Sequence, residues 1–192
     1  MIELPELLVD DAPAWRAWLE RSHDEHSGVW LVLHKKGGTV TSLTYDQALD
    51  EALCFGWVDG QKGKRDEHSF RQRFTPRRRA SPWSARNVGH VARLVESGRM
   101  HAAGLAAVDS AKADGRWDAA YQGQSAAQVP ADLAEALATN PAATATFEAL
   151  NAANRYAIIY RLNAVKRAET RGRKLAGFVE MLARGEALHP QK

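Results

Sequence analysis

The sequence predicts an α+β protein with a small, mostly antiparallel sheet and packed helices in its N-terminal half and a helical C-terminal half. Two observations lead to this class. Short apolar or alternating runs rich in Val, Trp and Phe, bounded by glycine or proline, occur before residue 80 and are typical of strands. Segments with apolar residues at helical spacing separate these runs and make up the chain after residue 130.

The first two elements are a helix and a buried strand. Trp15, Trp18 and Leu19 fall on one face of a helix over residues 13–23, at the spacing that buries one stripe. The run VWLVLHKK predicts a strand over residues 29–36, because Trp, Val and Leu pack well on a pleated surface. A Lys-Lys-Gly-Gly turn ends this strand.

Two further helices have recognisable beginnings. Thr44 with Gln47 three residues later is the pattern of a capping box, so a second helix begins there. Gly56 is placed to end that helix. Ser81 followed by Pro82 predicts the start of the next helix, with the serine as N-cap and the proline in the first turn.

Two strands lie between these helices. The first covers residues 57–60 and runs into a glycine-containing basic turn, and the second covers SFRQRF, residues 69–74. Period-two alternation in the second strand puts aromatic side chains on one face and arginines on the opposite, solvated face. The first face carries Phe70, Gln72 and Phe74, and the second carries Ser69, Arg71 and Arg73.

The chain divides into two regions. We expect residues 1–121 to form the α+β domain and residues 122–192 to form a helical C-terminal region packed on it. A polar segment of small residues, 122–128, separates the two. Pro130 and Pro141 each mark the first turn of a helix in the second region.

Composition points to a cytoplasmic protein. No apolar run approaches the roughly 18 residues of a membrane span, and the acidic N-terminal stretch is unlike a signal peptide. The single cysteine, Cys54, lies at an apolar helix end and is interpreted as a small buried hydrophobe. His23 and His26 are three residues apart with His34 near by, but His23 lies at a helix end and the others in a polar loop, so we interpret them as solvated turn residues rather than metal ligands. We expect no cofactor, no metal and no membrane partner.

Positive charge is concentrated in two segments of a chain whose formal net charge is only +3. Residues 62–86 hold nine basic and two acidic residues. Residues 155–174 hold seven basic residues and one acidic residue. Because the rest of the chain is acidic, this distribution favours an anionic partner more strongly than the total charge does.

Several motifs resemble those of a known bacterial family. LCFGWVDG at residues 53–60, RFTPRR at 73–78 and SPWSARN at 81–87 are similar to motifs of the YdeI/OmpD-associated family, also labelled bacteriocin-protection. VKRAETR at 165–171 resembles its C-terminal signature, with Ala168 where proline is usual. The resemblance implies a stress or protection role and specifies no reaction.

The first basic segment predicts a surface that binds an anionic partner, with nucleic acid as the leading candidate. Lysine and arginine release condensed counterions from a polyanion, and an exposed aromatic ring stacks on a base. A solvated basic face without a partner is the alternative explanation of the same charges. The candidate anion-binding residues are Lys62, Lys64, Arg71, Arg73, Arg77, Arg78, Arg79 and Arg86.

A cleft for a small anionic ligand is the second hypothesis. If Trp57, Asp59, Trp83 and Asn87 converge with Arg73 and Arg77, they line a pocket suited to a carboxylate or phosphate, whether for binding or for catalysis. No arrangement of nucleophile and base can be read from the sequence, so no catalytic residue is assigned. We expect a binding protein rather than an enzyme.

Overall fold

A computed structural model describes residues 4–191, which form two compact units that divide between Ala120 and Tyr121. The N-terminal unit contains all the strands assigned to the sheet, and the C-terminal unit is helical, with a short 3-10 turn at Gln124–Ala126. The predicted α+β class is confirmed.

The elements of the N-terminal unit are, in order, β1 (Glu6–Leu7), α1 (Ala12–Ser22), β2 (Val29–His34), α2 (Tyr45–Cys54), β3 (Trp57–Lys64), β4 (Ser69–Pro76), α3 (Ala85–Glu96) and α4 (Ala102–Ala113). Those of the C-terminal unit are α5 (Ala131–Ala138), α6 (Pro141–Ala149), α7 (Ala152–Asn163) and α8 (Ala168–Ala183).

The sheet has the strand order β1-β2-β4-β3. Strands β3 and β4 form an antiparallel hairpin, and β2 pairs antiparallel with β4 on its other side. The two-residue strand β1 pairs in parallel with β2 and is the exception in an otherwise antiparallel sheet. The prediction of a mostly antiparallel sheet is therefore confirmed.

The register between β2 and β4 defines two chemically different faces. Directly paired residues point to the same side of a sheet, and neighbours along a strand point to opposite sides. Val29 pairs with Phe74, and the face that they share is called the inner face. Trp30 pairs with Arg73 one residue along, so these two lie on the opposite, outer face.

Helices of the N-terminal unit cover the inner face. Trp15 of α1 packs edge-on against Trp57 and lies 5.9 Å, centroid to centroid, from the ring of Phe74. Its indole nitrogen donates a hydrogen bond to the carbonyl oxygen of Ala48 in α2 at 3.1 Å. The core therefore joins β3, β4 and the first two helices through one buried tryptophan.

Cys54 belongs to this core, as the sequence predicted. Its side chain is fully buried, and burial raises the pKa of its thiol. Helix α4 approaches the end of α2 at this point, because Gly104 has no side chain. A Cβ there would lie 2.1 Å from the carbonyl oxygen of Cys54, so any larger residue would separate the two helices.

The capping box at Thr44 is confirmed, but the predicted start of the third helix is wrong. Helix α3 begins at Ala85, and the Ser84 hydroxyl is the N-cap oxygen that accepts the backbone N–H of Asn87 at 3.1 Å. Ser81 instead closes a turn with Arg78, exchanging hydrogen bonds in both directions. The Ser81 hydroxyl accepts the N–H of Arg78 in this turn, and the N–H groups that begin the helix are capped by Ser84 instead.

Strand β3 is longer than predicted. It continues past residue 60 to Lys64, because a register shift between Asp59 and Lys62 lets the glycine-containing segment keep pairing with β4. The segment interpreted from the sequence as a turn is therefore mostly an edge strand.

The C-terminal helices share a separate core. Leu133, Phe147, Ile158, Leu162 and Leu182 are among its buried residues. Asn140 caps α6 with Pro141 in the first turn, as predicted. No helix within residues 4–191 is long and apolar enough to cross a bilayer.

Candidate anion-binding face of the sheet

The outer face of the sheet carries two of the predicted anion-binding residues. Arg71 and Arg73 occupy alternate positions of β4, so both side chains leave the sheet on the side opposite to Phe74. Trp30 and Val32 lie beside them on β2. Val32 is fully buried, whereas the Arg71 side chain is 42% exposed. The face is therefore close-packed at its base and basic at its surface.

Trp30 and Arg71 stack on each other on this face. The guanidinium carbon of Arg71 lies 4.9 Å from the Trp30 ring centroid, within the range of a cation–π contact. Both side chains reach Gly63 of β3. A Cβ on Gly63 would lie 2.9 Å from Cγ of Arg71 and 3.3 Å from Cζ3 of Trp30. The stack thus requires a residue without a side chain beneath it.

Arg73 lies across a second glycine of β3. Its aliphatic stem passes 3.5 Å from the position that a Cβ on Gly60 would take. Within residues 4–191, the guanidinium of Arg73 makes no hydrogen bond and no ion pair. Its Nε is buried against the sheet without a partner, as is Nε of Arg71. We call Trp30, Arg71 and Arg73, with Gly60 and Gly63 beneath them, the arginine–tryptophan platform.

Acidic residues border the platform on one side. The Glu6 carboxylate of β1 accepts a hydrogen bond from Nε of Arg65 at 2.8 Å and lies 4.0 Å from Nη1 of Arg71. Asp66 accepts the hydroxyl of Ser69 at 2.6 Å and the backbone N–H groups of His68 and Ser69. The Ser69 hydrogen bond, followed by these N–H groups and Arg65, lowers the pKa of Asp66 to about 2.

The two candidate lysines of the hairpin lie on the other face. Lys62 pairs with Gln72 and Lys64 with Phe70, so both share the side of the inner-face residues. The Lys62 ammonium sits 3.9 Å from the Phe70 ring centroid. The register shift in β3 therefore divides the basic residues of this hairpin between two surfaces.

The remaining candidates follow β4. The guanidinium of Arg77 stacks 3.6 Å from the Trp83 ring centroid and donates to the carbonyl oxygen of Pro82 at 3.2 Å. Arg78 and Arg79 are exposed in the loop. Arg86 donates to the Asp46 carboxylate at 2.7 Å. Arg78 and Arg79 are thus the members of this group best placed to meet an external anion.

The four residues predicted to line a cleft lie mostly in the core. Trp57, Trp83 and Asn87 are buried, at 1%, 2% and 7% exposure. The Trp57 indole donates to the carbonyl oxygen of His23 at 3.0 Å. Asp59 is partly exposed and pairs with Phe74, which puts it on the face opposite to Arg73. A role for these residues in ligand binding stays a prediction.

Asp59 has one defined partner. The Tyr45 hydroxyl of α2 donates to its Oδ2 at 2.7 Å. Burial, then the hydrogen bond to this carboxylate, raises the pKa of Tyr45. The phenol therefore stays protonated and acts as a donor that ties α2 to the edge strand.

The second basic segment lies in the C-terminal unit. There Arg171 donates to both carboxylate oxygens of Asp132, at 2.6 and 2.9 Å, and to the carbonyl oxygen of Leu162. The hydrogen bonds to Asp132 raise the pKa of Arg171 against a weaker opposing effect of burial. At least this arginine has a structural partner. Within residues 4–191, no group of three or more His, Cys, Asp or Glu is placed to hold a metal ion.

Sequence reasoning did not identify Trp30, Gly60 and Gly63 as parts of one site. The alternation in β2 assigns Trp30 to a face, but only the cross-strand register shows that this face also carries the arginines. The glycines of the hairpin were interpreted as turn residues. Their position opposite two arginines on a paired strand was the missing observation.

Two family models match the chain. One, described as a domain of unknown function (DUF8412), matches residues 7–107, more than half of the chain. The other, described as "Bacteriocin-protection, YdeI or OmpD-Associated", matches residues 126–185. The chain belongs to the DUF8412 family and carries a YdeI/OmpD-associated domain. No curated protein and no solved structure matches it.

The predicted resemblance to the YdeI/OmpD-associated family is therefore confirmed. The model of that family covers the C-terminal signature at residues 165–171, whereas the motifs LCFGWVDG and RFTPRR lie within the DUF8412 match. The arginine–tryptophan platform also belongs to the DUF8412 part of this protein. Neither description names a ligand or a reaction.

Proposed function

We propose that this YdeI/OmpD-associated protein is a cytoplasmic, non-enzymatic stress or protection protein that binds nucleic acid through the outer face of its sheet. The observation that carries the proposal is the platform. Two arginines extend side by side from one strand beside a half-buried tryptophan, and the guanidinium of Arg73 has no hydrogen bond or ion pair within the described chain. A basic face with an aromatic ring is typical of nucleic-acid binding.

The spacing of the two arginines suits a polyanion. Alternate residues of a strand are separated by about 6.6 Å, twice the rise per residue. Phosphates of one strand of a duplex are spaced about 3.4 Å apart along the helix axis, so two arginines at this separation can contact different phosphates of one backbone. Arginine also donates two parallel hydrogen bonds to phosphate oxygens. The pair can therefore contact successive parts of one backbone.

The chemistry of the platform favours binding over catalysis. Arginine stays protonated at any physiological pH, so it holds an anion and does not act as a proton acceptor. Asp59, the carboxylate of the predicted cleft, extends from the inner face of the sheet and accepts a hydrogen bond from the Tyr45 hydroxyl. The platform therefore combines charge and stacking, and the carboxylate beside it, that of Glu6, is paired with Arg65 and Arg71.

A small anion is the competing ligand class. The same guanidinium groups could bind a single carboxylate or phosphate bidentately, and such binding would need neither Trp30 nor an extended strand. Free phosphate, citrate and a mononucleotide therefore belong in the same experiment as the oligonucleotides. The small-anion hypothesis gains support only if one of these binds as tightly as the polymer.

The decisive measurement is fluorescence anisotropy of labelled oligonucleotides over a salt series. Arg71→Ala/Arg73→Ala removes two charges from the outer face. Lys62→Ala/Lys64→Ala removes two charges from the same hairpin on the other face and is the matched control. Arg78→Ala/Arg79→Ala tests the loop and leaves Arg77 on Trp83.

We expect micromolar or tighter binding at low salt that weakens steeply as salt is raised. Each phosphate contact in a single strand contributes roughly 0.7 to the slope of log K against log salt, so the outer-face double variant should lower the slope by about 1.4. The lysine control should leave the slope nearly unchanged. Equal losses in the two double variants would contradict a platform and indicate only general charge attraction.

A further inference from the structure

We infer that the platform is a base-stacking site, which makes this protein selective for single-stranded over double-stranded nucleic acid. The inference rests on the proposed function and adds a ligand class to it. Its starting observation is that Trp30 belongs to β2 but reaches Gly63 of β3, two strands away. Neighbouring strands are about 4.8 Å apart, so the indole extends across β4 rather than out from the sheet.

The stack with Arg71 gives this surface the geometry of a nucleobase site. The guanidinium group lies 4.9 Å from the indole centroid. Unpaired bases stack on aromatic rings and on the planes of arginine guanidinium groups in single-strand-binding proteins. A base placed against Arg71 would extend an existing aromatic–guanidinium stack, while Arg73 remains available for the adjoining phosphate.

Gly63 leaves room for the contact between Arg71 and Trp30. The stack occupies the space that a Cβ at this position would take, with Arg71 Nε at 3.0 Å from it as well as Cγ at 2.9 Å. A Cβ at position 63 would force the Arg71 side chain to move and would also press on the Trp30 ring, 3.3 Å away. The absence of a side chain at position 63 therefore leaves the space that Arg71 and Trp30 use.

A duplex exposes fewer base faces to this site than a single strand does. Bases in a duplex are already stacked on each other, so their faces are not available to a protein surface without unstacking. A duplex can still present phosphates to Arg71 and Arg73, and those contacts carry no information about bases. Selectivity for single strands should therefore come from Trp30 and Arg71, and polyanion affinity from the arginine charges.

The test compares three probes of equal length on the full-length chain at one low salt concentration. They are a single-stranded thymidine oligomer, an abasic oligomer with the same phosphates, and a duplex. We expect the thymidine oligomer to bind at least fivefold more tightly than the abasic one, because only the thymidine oligomer has bases that can stack on the protein surface. The duplex should also bind more weakly than the thymidine oligomer.

Two variants then test whether Trp30 produces the preference for the thymidine oligomer. Trp30→Ala should remove the preference for the thymidine oligomer and leave abasic binding unchanged, and Trp30→Phe should restore most of the preference. Equal affinity of the wild-type protein for thymidine and abasic oligomers would overturn the stacking inference while leaving polyanion binding intact. The stacking inference would also be overturned if Trp30→Ala, still folded by circular dichroism, kept the preference. Failure of all three probes to bind would overturn the proposed function itself.

Discussion

The two faces of the sheet differ completely, although they are built from the same strands. On the inner face, Phe74 is fully buried against Trp15 of α1. On the outer face, one residue away, Arg73 has no hydrogen bond or ion pair within residues 4–191. A period of two is the reason, because it sends adjacent residues of a strand to opposite environments. Along a single strand, the comparison therefore separates a position buried in the core from a position proposed to bind an anion.

This separation has a practical consequence. Truncating Phe74 on the inner face should lower the free energy of unfolding, whereas truncating the two arginines on the outer face should weaken the proposed binding. The hairpin also places two lysines of β3 on the inner-face side, near its edge. Charge in this segment therefore does not by itself locate the proposed binding surface, because the register divides the basic residues between two faces.

The largest expected effect comes from the inner face. Phe74→Ala should lower the free energy of unfolding by about 3–5 kcal/mol, because it removes a fully buried ring and leaves a cavity beside Trp15. Denaturant unfolding monitored by circular dichroism measures this loss of stability. A loss below about 0.5 kcal/mol, the usual range for a surface site, would contradict the assigned face.

A glycine pair tests how tightly the outer face is packed. Gly63→Ala should lower the free energy of unfolding by about 1–3 kcal/mol, since its methyl group would lie 2.9 Å from Cγ of Arg71 and 3.3 Å from Cζ3 of Trp30. Gly60→Ala is the control. Its methyl group would meet Arg73 no closer than 3.5 Å, an ordinary contact, so stability should stay the same or rise by about 0.4–1 kcal/mol. Equal effects of the two substitutions would show that the stack does not rest on Gly63.

The arginines themselves should matter little for stability. Arg71→Ala/Arg73→Ala should change the free energy of unfolding by less than about 1 kcal/mol, because the loss is limited to one partly exposed cation–π contact, an exposed ion pair with Glu6 at 4.0 Å and aliphatic packing. Thermal unfolding of this double variant and of Phe74→Ala under the same conditions tests whether the two differ in stability. A fall in melting temperature as large as that of Phe74→Ala would mean that these arginines are structural.

The smallest effect concerns pH and the turn before β4. The pKa of Asp66, about 2, lies below its ordinary value of 3.8, so its ionised carboxylate stabilises the fold. That contribution is complete above about pH 4 and is lost as the pH falls through about 2. Asp66→Asn should therefore lower the melting temperature slightly at about pH 7 and not at all below about pH 2. A difference that persists unchanged in acid would indicate that shape, not charge, holds the turn.

Local features of the fold were predictable because short-range interactions produce them. The capping box of Thr44 and Gln47 involves residues three apart, and the alternation in β4 involves neighbours. The prediction failed where two local signals competed. Ser81 and Ser84 both precede the third helix, and the turn formed with Arg78 left Ser84 as the cap.

The candidate site was predicted only in part. Arg71 and Arg73 were assigned to one face from the sequence, and the register agrees. Trp30 and Gly63 were not connected to them, because Trp30 is more than thirty residues away from Gly63 along the chain. The bulge after Asp59, which sends Lys62 to the opposite face, depends on pairing with β4 and has no signature in the spacing of charges.

The sequence by itself determined the class of the fold, most helix boundaries, the family, and the presence of an arginine-bearing strand face. These depend on composition, motifs and contacts within one element. Only the tertiary structure decided which side chains share that face, because strand register is set by contacts between distant segments. The stack of Trp30 on Arg71 above Gly63 exists only once three separate strands are aligned.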